Sequence, residues 1–295
     1  MKKIAVIGAG TMGNGIAHIF AQYGFPVTLI DIDAAQIQKA LATISGNLER
    51  QVFRRILTED QKKTTLGLIA TDSDLGTGIE QADLIIEAAA ENLAIKLDIF
   101  KKLGQSAPVR AILATNTSSI SITQIGAASG RPAAVIGMHF MNPVPVMKLV
   151  EVINGYETSP EVTKQVLDLC HSIGKTPCVV NDFPGFIANR VLMPMINEAI
   201  IALQEGAASV SAIDNIMKLG MAHPMGPLQL ADFIGLDVCQ AILNVLYHGF
   251  GNPKYAPCPL LNNMVAAGKL GVKTGEGFYI YQSGSKELTV SSRFN

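Results

Sequence analysis

Ile4-Ala5-Val6-Ile7-Gly8-Ala9-Gly10-Thr11-Met12-Gly13 is the stretch on which the fold turns. Its four leading apolar residues read as a short buried strand, and the glycines after them turn the chain into a helix expected over Asn14 to Ala21. At this spacing Gly8 permits the tight turn, Gly10 lets backbone approach phosphates, and Gly13 lets the helix pack on the strand. Thr11 and Met12 stand where the unpaired N–H groups of a helix N-terminus attract a pyrophosphate. A second apolar run, Val27-Thr28-Leu29-Ile30, ends at Asp31. A carboxylate there accepts hydrogen bonds from two free ribose hydroxyls and repels a 2′-phosphate. Neither Ile32 nor Asp33 supplies the arginine that would receive one. These residues predict a dinucleotide site, with NAD favoured over NADP.

Across residues 1–183 short apolar runs alternate with helical stretches, the pattern of a Rossmann-type, doubly wound, mainly parallel α/β sheet. The expected strands are Ile4 to Ile7, Val27 to Ile30, Leu68 to Thr71, Leu84 to Glu87, Ala111 to Ala114, Val135 to Met138, Leu149 to Ile153 and Pro177 to Val180. A long helix is expected from Ala34 to about Leu57, with Arg50, Arg54, Arg55, Lys62 and Lys63 gathered near its end. Such a cluster is either a solvated face or a landing site for an anionic ligand group. The texture changes at Asn181-Asp182-Phe183-Pro184-Gly185, where Asp182 and Pro184 read as a helix start. Helical periodicity then covers Phe186 to Glu205, Val210 to Leu219 and, with interruptions, Pro227 to Tyr247. A smaller, all-helical C-terminal domain is therefore expected over 184–295. Its many apolar residues exceed what so small an interior holds, so one face is expected to pack on a second copy, giving a homodimer. The tail from Gln282 onward is polar and expected to be loosely ordered.

Composition narrows the function classes. A chain of 295 residues can build two cores; 48% apolar residues and a formal charge of −1 argue against disorder and against a nucleic-acid surface. No stretch approaches the roughly 18 apolar residues of a membrane span. The Lys2-Lys3 start imitates a signal peptide, but the apolar run breaks at Gly8. Cys170, Cys178, Cys239 and Cys258 form no Cys-x-x-Cys pair and lie at no metal spacing from histidine. Reduced thiols, no metal and a cytoplasmic location (or a matrix one, without its transit peptide) are the expectation.

Oxidation of an alcohol by NAD needs a base that works near neutral pH. Of the five histidines, His18, His171, His223 and His248 fall where core or surface duty is expected. His139 follows the run Val135 to Met138, and a parallel strand delivers its C-terminal residue to the cofactor crevice. Pro143 and Pro145 would hold the following loop extended. An imidazole base needs a partner that fixes its tautomer and stabilises the imidazolium. Glu151 is an acid in an apolar run, either paired in the interior or facing solvent from an edge strand; the residues leave both open. Asn116-Thr117-Ser118-Ser119 places hydroxyls and an amide after another strand, as an ordinary turn or as donors to a reacting oxygen.

These segments resemble the 3-hydroxyacyl-CoA dehydrogenase family, in its short-chain bacterial 3-hydroxybutyryl-CoA branch. The matching pieces run collinearly along nearly the whole chain: I-G-A-G-T-M-G, E-N-L-A-I-K from Glu91, N-T-S-S from Asn116, H-F-M-N-P-V-P-V-M-K-L-V-E-V from His139, D-F-P-G-F-I-A-N-R from Asp182, M-K-L-G and H-P-M-G-P from Met217, and K-T-G-E-G-F-Y from Lys273. The resemblance implies NAD-dependent, reversible oxidation of an (S)-3-hydroxyacyl-CoA. It makes His139 the base, Glu151 its partner, and Ser118 and Asn189 hydrogen-bond donors to the substrate. Glu91, Lys96, Asn116 and Lys273 become NAD contacts beside the glycine loop and Asp31. For coenzyme A the family uses a serine and a lysine; Asn47 and Arg54 stand there instead. Both still hydrogen-bond, and Arg54 keeps the charge a phosphate needs. The implied substrate site is the cleft between the domains. Two other readings remain: a dehydrogenase of a free 3-hydroxy or sugar acid, and a non-catalytic NAD-binding protein.

Overall fold

Eight strands make one sheet: β1 Ile4–Ile7, β2 Val27–Ile30, β3 Ile69–Asp72, β4 Leu84–Glu87, β5 Ile112–Thr115, β6 Val135–Phe140, β7 Leu149–Asn154 and β8 Thr176–Asn181. Their order is β3-β2-β1-β4-β5-β6-β7-β8, parallel throughout except for the antiparallel β6–β7 pair. The computed structural model describes residues 1–282, 284 and 287–294. Every residue of β1, β4 and β5 is buried, which is why these strands read as apolar runs, closed by Glu87 in β4 and Thr115 in β5, rather than as alternation. The winding reverses between β1 and β4, and a crevice for a ligand opens beyond the carboxyl ends of strands at such a switch point.

Seven helices connect the strands: α1 Thr11–Gln22, α2 Ala34–Phe53, α3 Glu59–Gly67, α4 Leu75–Ile79, α5 Leu93–Ser106, α6 Ile122–Ser129 and α7 Pro160–Ser172. Helix α1 begins at Thr11, three residues before the expected Asn14, so Thr11, Met12 and Gly13 form its first turn. The long helix expected to Leu57 stops at Phe53. Arg55 takes a left-handed φ of 58°, and Thr58 with Gln61 forms a capping box that starts α3 afresh. Strand β6 continues to Phe140, so His139 lies within it rather than after it.

Contacts divide the chain into Met1–Phe183 and Pro184–Asn295. Asp182 does not start a helix of its own: its carboxylate accepts from Ser121 Oγ at 2.7 Å and Thr123 N–H at 2.8 Å, at the N-terminus of α6. The next helix waits until Ala188 because Gly185 and Phe186 are left-handed, at φ 72° and 51°.

The second unit holds α8 Ala188–Gln204, α9 Val210–Asn215, α10 Pro227–Ile234, α11 Leu236–Phe250 and α12 Pro259–Ala266. A π-helical turn at Ile216–Gly220 prolongs α9. Its core gathers Met193, Ile196, Ile200, Leu228, Leu243, Leu246 and Phe278. The unit is not all-helical: β9 Tyr279–Ile280 pairs antiparallel with β10 Thr289–Val290. That pairing also corrects the loose tail, because Ser291 is 1% exposed and bonded to Glu276. For Ser283, Ser285, Lys286 and Asn295 the expectation of looseness lies outside the described residues. Among the described residues no single helix is long and apolar enough to cross a membrane, and the pair α10 and α11 passes that test only together, across a 96° bend.

A buried acid cluster ties the end of this unit to its helices. Asp232 accepts from the N–H groups of Phe278 and Tyr279 and from Tyr281 Oη, while Asp214 accepts from Leu228 N–H, Gln229 N–H and Tyr279 Oη. Burial, opposed by those hydrogen bonds and reinforced by Asp214, pushes the Asp232 carboxyl up to about 6. A raised carboxyl stabilises the fold fully below its ordinary value and loses that contribution as pH climbs through the folded value. Between about pH 4 and pH 6 the wild type should therefore lose up to about 3 kcal/mol relative to Asp232→Asn. Denaturant unfolding across that range reads the difference, and a constant gap between the two proteins contradicts it.

Candidate active site

His139 on β6 and Glu151 on β7 are directly opposed in the antiparallel register, so the pleat aims both side chains to one face of the sheet. His139 Nδ1 lies 2.8 Å from Glu151 Oε2, with the side chains 12% and 3% exposed. β8 pairs along the far side of β7, so Glu151 is on no edge strand and does not face solvent. The loop between the two strands is folded back rather than extended: Pro143 C=O accepts from Val146 N–H and Met147 N–H, both at 3.0 Å. Lys175, 6% exposed, holds it from below by donating to Val144 C=O and, at 2.7 Å, to Met147 C=O. Burial lowers the Lys175 pKa. Asn116 accepts from Phe140 N–H at 2.9 Å, fixing the strand end beside His139.

Ser118 sits in a loop organised by Glu91. Oε1 of Glu91 accepts from Thr117 Oγ1 at 2.6 Å, Ser118 N–H at 2.9 Å, and Ser118 Oγ and Ser119 Oγ at 3.2 Å each. Burial alone would raise the Glu91 carboxyl; the charge of Lys96 with these hydrogen bonds holds it below the usual range instead. Lys96 is 1% exposed and lies 2.7 Å from Glu87 and 3.3 Å from Glu91. Its ammonium is thus held between two carboxylates.

The residues around the glycine turn fit a dinucleotide. Gly8, at φ 96°, has no room for a side chain: a Cβ would stand 2.6 Å from Ala88 C=O. At Gly13 it would stand 1.7 Å from Gly8 C=O. A Cβ on Gly10, the N-cap of α1, would meet nothing within 4 Å, so open space faces that helix end, which carries no side-chain cap. The open space is where a pyrophosphate would lie against the first turn of Thr11, Met12 and Gly13. Asp31 reaches back under the turn, accepting from Ala9 N–H at 2.7 Å and Asp33 N–H at 3.0 Å.

From the glycine turn a depression continues along α2. A cavity of about 270 Å³ is lined by Ala9, Thr11, Asn14, Lys39, Asn47 and Val144 among others. Its neighbour of about 360 Å³ has Asn47, Arg50, Gln51, Arg54, Pro143 and Val146 in its lining. Asn47, Pro143 and Pro145 line both. Asn47 and Arg54 thus share one wall, and Arg50, hydrogen-bonded to Asn47, joins them.

Two of the expected site residues belong to the second unit. Asn189 is buried in the first turn of α8. Lys273 is ion-paired with Asp237, half-exposed, on the loop that Asp232 pins. Of the remaining histidines, His18 is fully buried and lowered to about 4 by burial, while His171 and His248 are exposed on helices. Sequence reasoning missed Glu87, Thr115, Lys175 and Asp237. Glu87 carried a usable signal, an acid closing an otherwise apolar strand; a lysine in a loop such as Lys175 carried none.

The 3-hydroxyacyl-CoA dehydrogenase NAD-binding domain model matches residues 3–183, and the family's C-terminal domain model matches 185–281. The chain is 54% identical over 279 residues to a probable 3-hydroxybutyryl-CoA dehydrogenase of Deinococcus radiodurans, covering 95% of this chain and 100% of that one. It is 50% identical over 282 residues to the 3-hydroxybutyryl-CoA dehydrogenase of Bradyrhizobium diazoefficiens, with 96% of each covered. The crystal structure of (S)-3-hydroxybutyryl-CoA dehydrogenase from Ralstonia eutropha superposes with a TM-score of 0.93 at 47% identity, covering 96% of this chain and 100% of that one. With its glycine turn, its paired His139 and Glu151 and both halves matched in order, the chain belongs to the 3-hydroxyacyl-CoA dehydrogenase family.

Proposed function

We propose that the protein is an NAD-dependent 3-hydroxyacyl-CoA dehydrogenase acting on 3-hydroxybutyryl-CoA. The observation that carries this reading is the 2.8 Å contact between His139 and Glu151 on a sheet whose switch point holds a dinucleotide turn. With Nδ1 engaged by the carboxylate, Nε2 is the nitrogen that takes the proton of the C3 hydroxyl. Glu151 holds the ring and stabilises the imidazolium that forms, as in other histidine–carboxylate pairs. Ser118 and Asn189 donate hydrogen bonds to the reacting oxygen and the acyl portion, favouring the negative charge that develops on the C3 oxygen in the reverse direction. Asp31 binds the adenosine ribose, the α1 N-terminus the pyrophosphate, and Glu91, Asn116 and Lys273 the remainder of NAD. Bound NAD supplies the hydride acceptor. Arg50, Arg54 and Asn47 take phosphate groups of coenzyme A along the α2 wall.

Consumption of NADH with acetoacetyl-CoA, compared with free acetoacetate and with longer 3-oxoacyl-CoA esters, tests the substrate. Remote binding energy from the coenzyme A portion is expressed in kcat/KM, so the four-carbon thioester should exceed the free acid by orders of magnitude. Equal rates on thioester and free acid would remove coenzyme A from the account.

We also propose a homodimer through the helical unit, supported by the exposed Val191, Ile216, Leu219, Met221 and Phe233; a monomer in sedimentation velocity would contradict it. A cytoplasmic location accords with four free cysteines.

A further inference from the structure

Glu87, the last residue of β4, is 0% exposed, and a carboxylate at such a place is costly unless firmly held. Three groups hold it. Oε1 accepts from Lys96 Nζ and Ala89 N–H, each at 2.7 Å, and Oε2 accepts from Thr115 Oγ1 at 2.7 Å. Two of these bonds lead to the same loop. Thr115 Oγ1 accepts in turn from Thr117 N–H at 3.2 Å. Lys96 reaches Glu91, whose other oxygen accepts from Thr117 Oγ1 and from Ser118 N–H. Two separate routes thus run from one buried carboxylate to two successive backbone N–H groups, those of Thr117 and Ser118. The Ser118 N–H contact, at 2.9 Å, fixes the residue, whereas its hydroxyl makes the longer contact of 3.2 Å, for which a substrate oxygen can compete.

We propose that Glu87 is a positioning residue for the reaction: through Lys96–Glu91 and through Thr115 it sets where the Ser118 hydroxyl meets the substrate oxygen. A buried anion is suited to this because both routes begin at one rigid, solvent-excluded strand end. A neutral amide would keep the size and the Thr115 contact, yet it would leave Lys96 with Glu91 as its one carboxylate and pull that pair out of register. The inference rests on the reading of Ser118 as a donor to the substrate.

A double-mutant cycle on turnover with acetoacetyl-CoA and NADH tests it. Ser118→Ala should lower kcat, and Glu87→Gln should lower it by about tenfold or more, as misplacement of a catalytic donor does. In the Ser118→Ala background Glu87→Gln should cost less than about twofold, because the hydroxyl it positions is gone. A merely structural role would instead multiply the two losses, and that result overturns the proposal. So does a Glu87→Gln enzyme within about twofold of wild type while Ser118→Ala is impaired. If Ser118→Ala loses nothing, the reading of Ser118 fails first, and the two failures are told apart. Should Glu87→Gln not fold, Thr115→Val breaks the second route at nearly constant volume. It should show the same non-additive loss, and an additive or absent loss again overturns the proposal.

Discussion

His139→Gln should lower turnover on acetoacetyl-CoA by about 10³-fold, with NADH binding within a few-fold of wild type. A positioned acid or base contributes about 10²–10⁴ to such proton transfers, and the other two imidazoles of the same unit lie elsewhere: His18 is buried in α1 and His171 is exposed on α7. Glutamine preserves the approximate size and one hydrogen bond, so the sheet and the glycine turn keep their geometry. Steady-state kinetics and a fluorescence titration of NADH separate the two properties. Turnover within a few-fold of wild type would mean that the proton is taken by another group.

Glu151→Gln should be the next most damaging change, lowering kcat by about 10²-fold. The carboxylate is 3% exposed and lies 2.8 Å from Nδ1, so it acts on the imidazolium with little screening from water. A neutral amide can still orient the ring but cannot offset the charge that appears when Nε2 takes a proton. Steady-state oxidation of 3-hydroxybutyryl-CoA should show this as a fall in kcat with KM for NAD within a few-fold of wild type. A kcat within a few-fold of wild type would leave Glu151 only an orienting role.

Much of this arrangement was legible because it is local. The glycine turn, the apolar runs flanking it and Asp31 lie within the first 31 residues, and their roles follow from spacing alone. The meeting of His139 and Glu151 was less so. It depends on the one antiparallel pair in the sheet, whose register sets the two residues opposite each other. Periodicity cannot reveal strand direction, which is why Glu151 read equally well as a solvent-facing position. Helix ends were misplaced where backbone conformation decided them: Arg55 and Phe186 are left-handed residues that composition does not mark. The antiparallel β9–β10 pair escaped notice because each strand is two residues long, held by Asp232 and Glu276 rather than by an apolar pattern. The network around Glu87 was hidden for a similar reason: Lys96 and Thr115 are 9 and 28 residues away from it in the chain.

A crystal structure of the protein with NAD and acetoacetyl-CoA bound measures the central claim most directly. The account predicts His139 Nε2 within about 2.6–3.2 Å of the C3 oxygen, with Nδ1 still on Glu151 and C3 stacked against the nicotinamide ring. A C3 oxygen out of reach of His139, or bonded to a different acid or base, would contradict it.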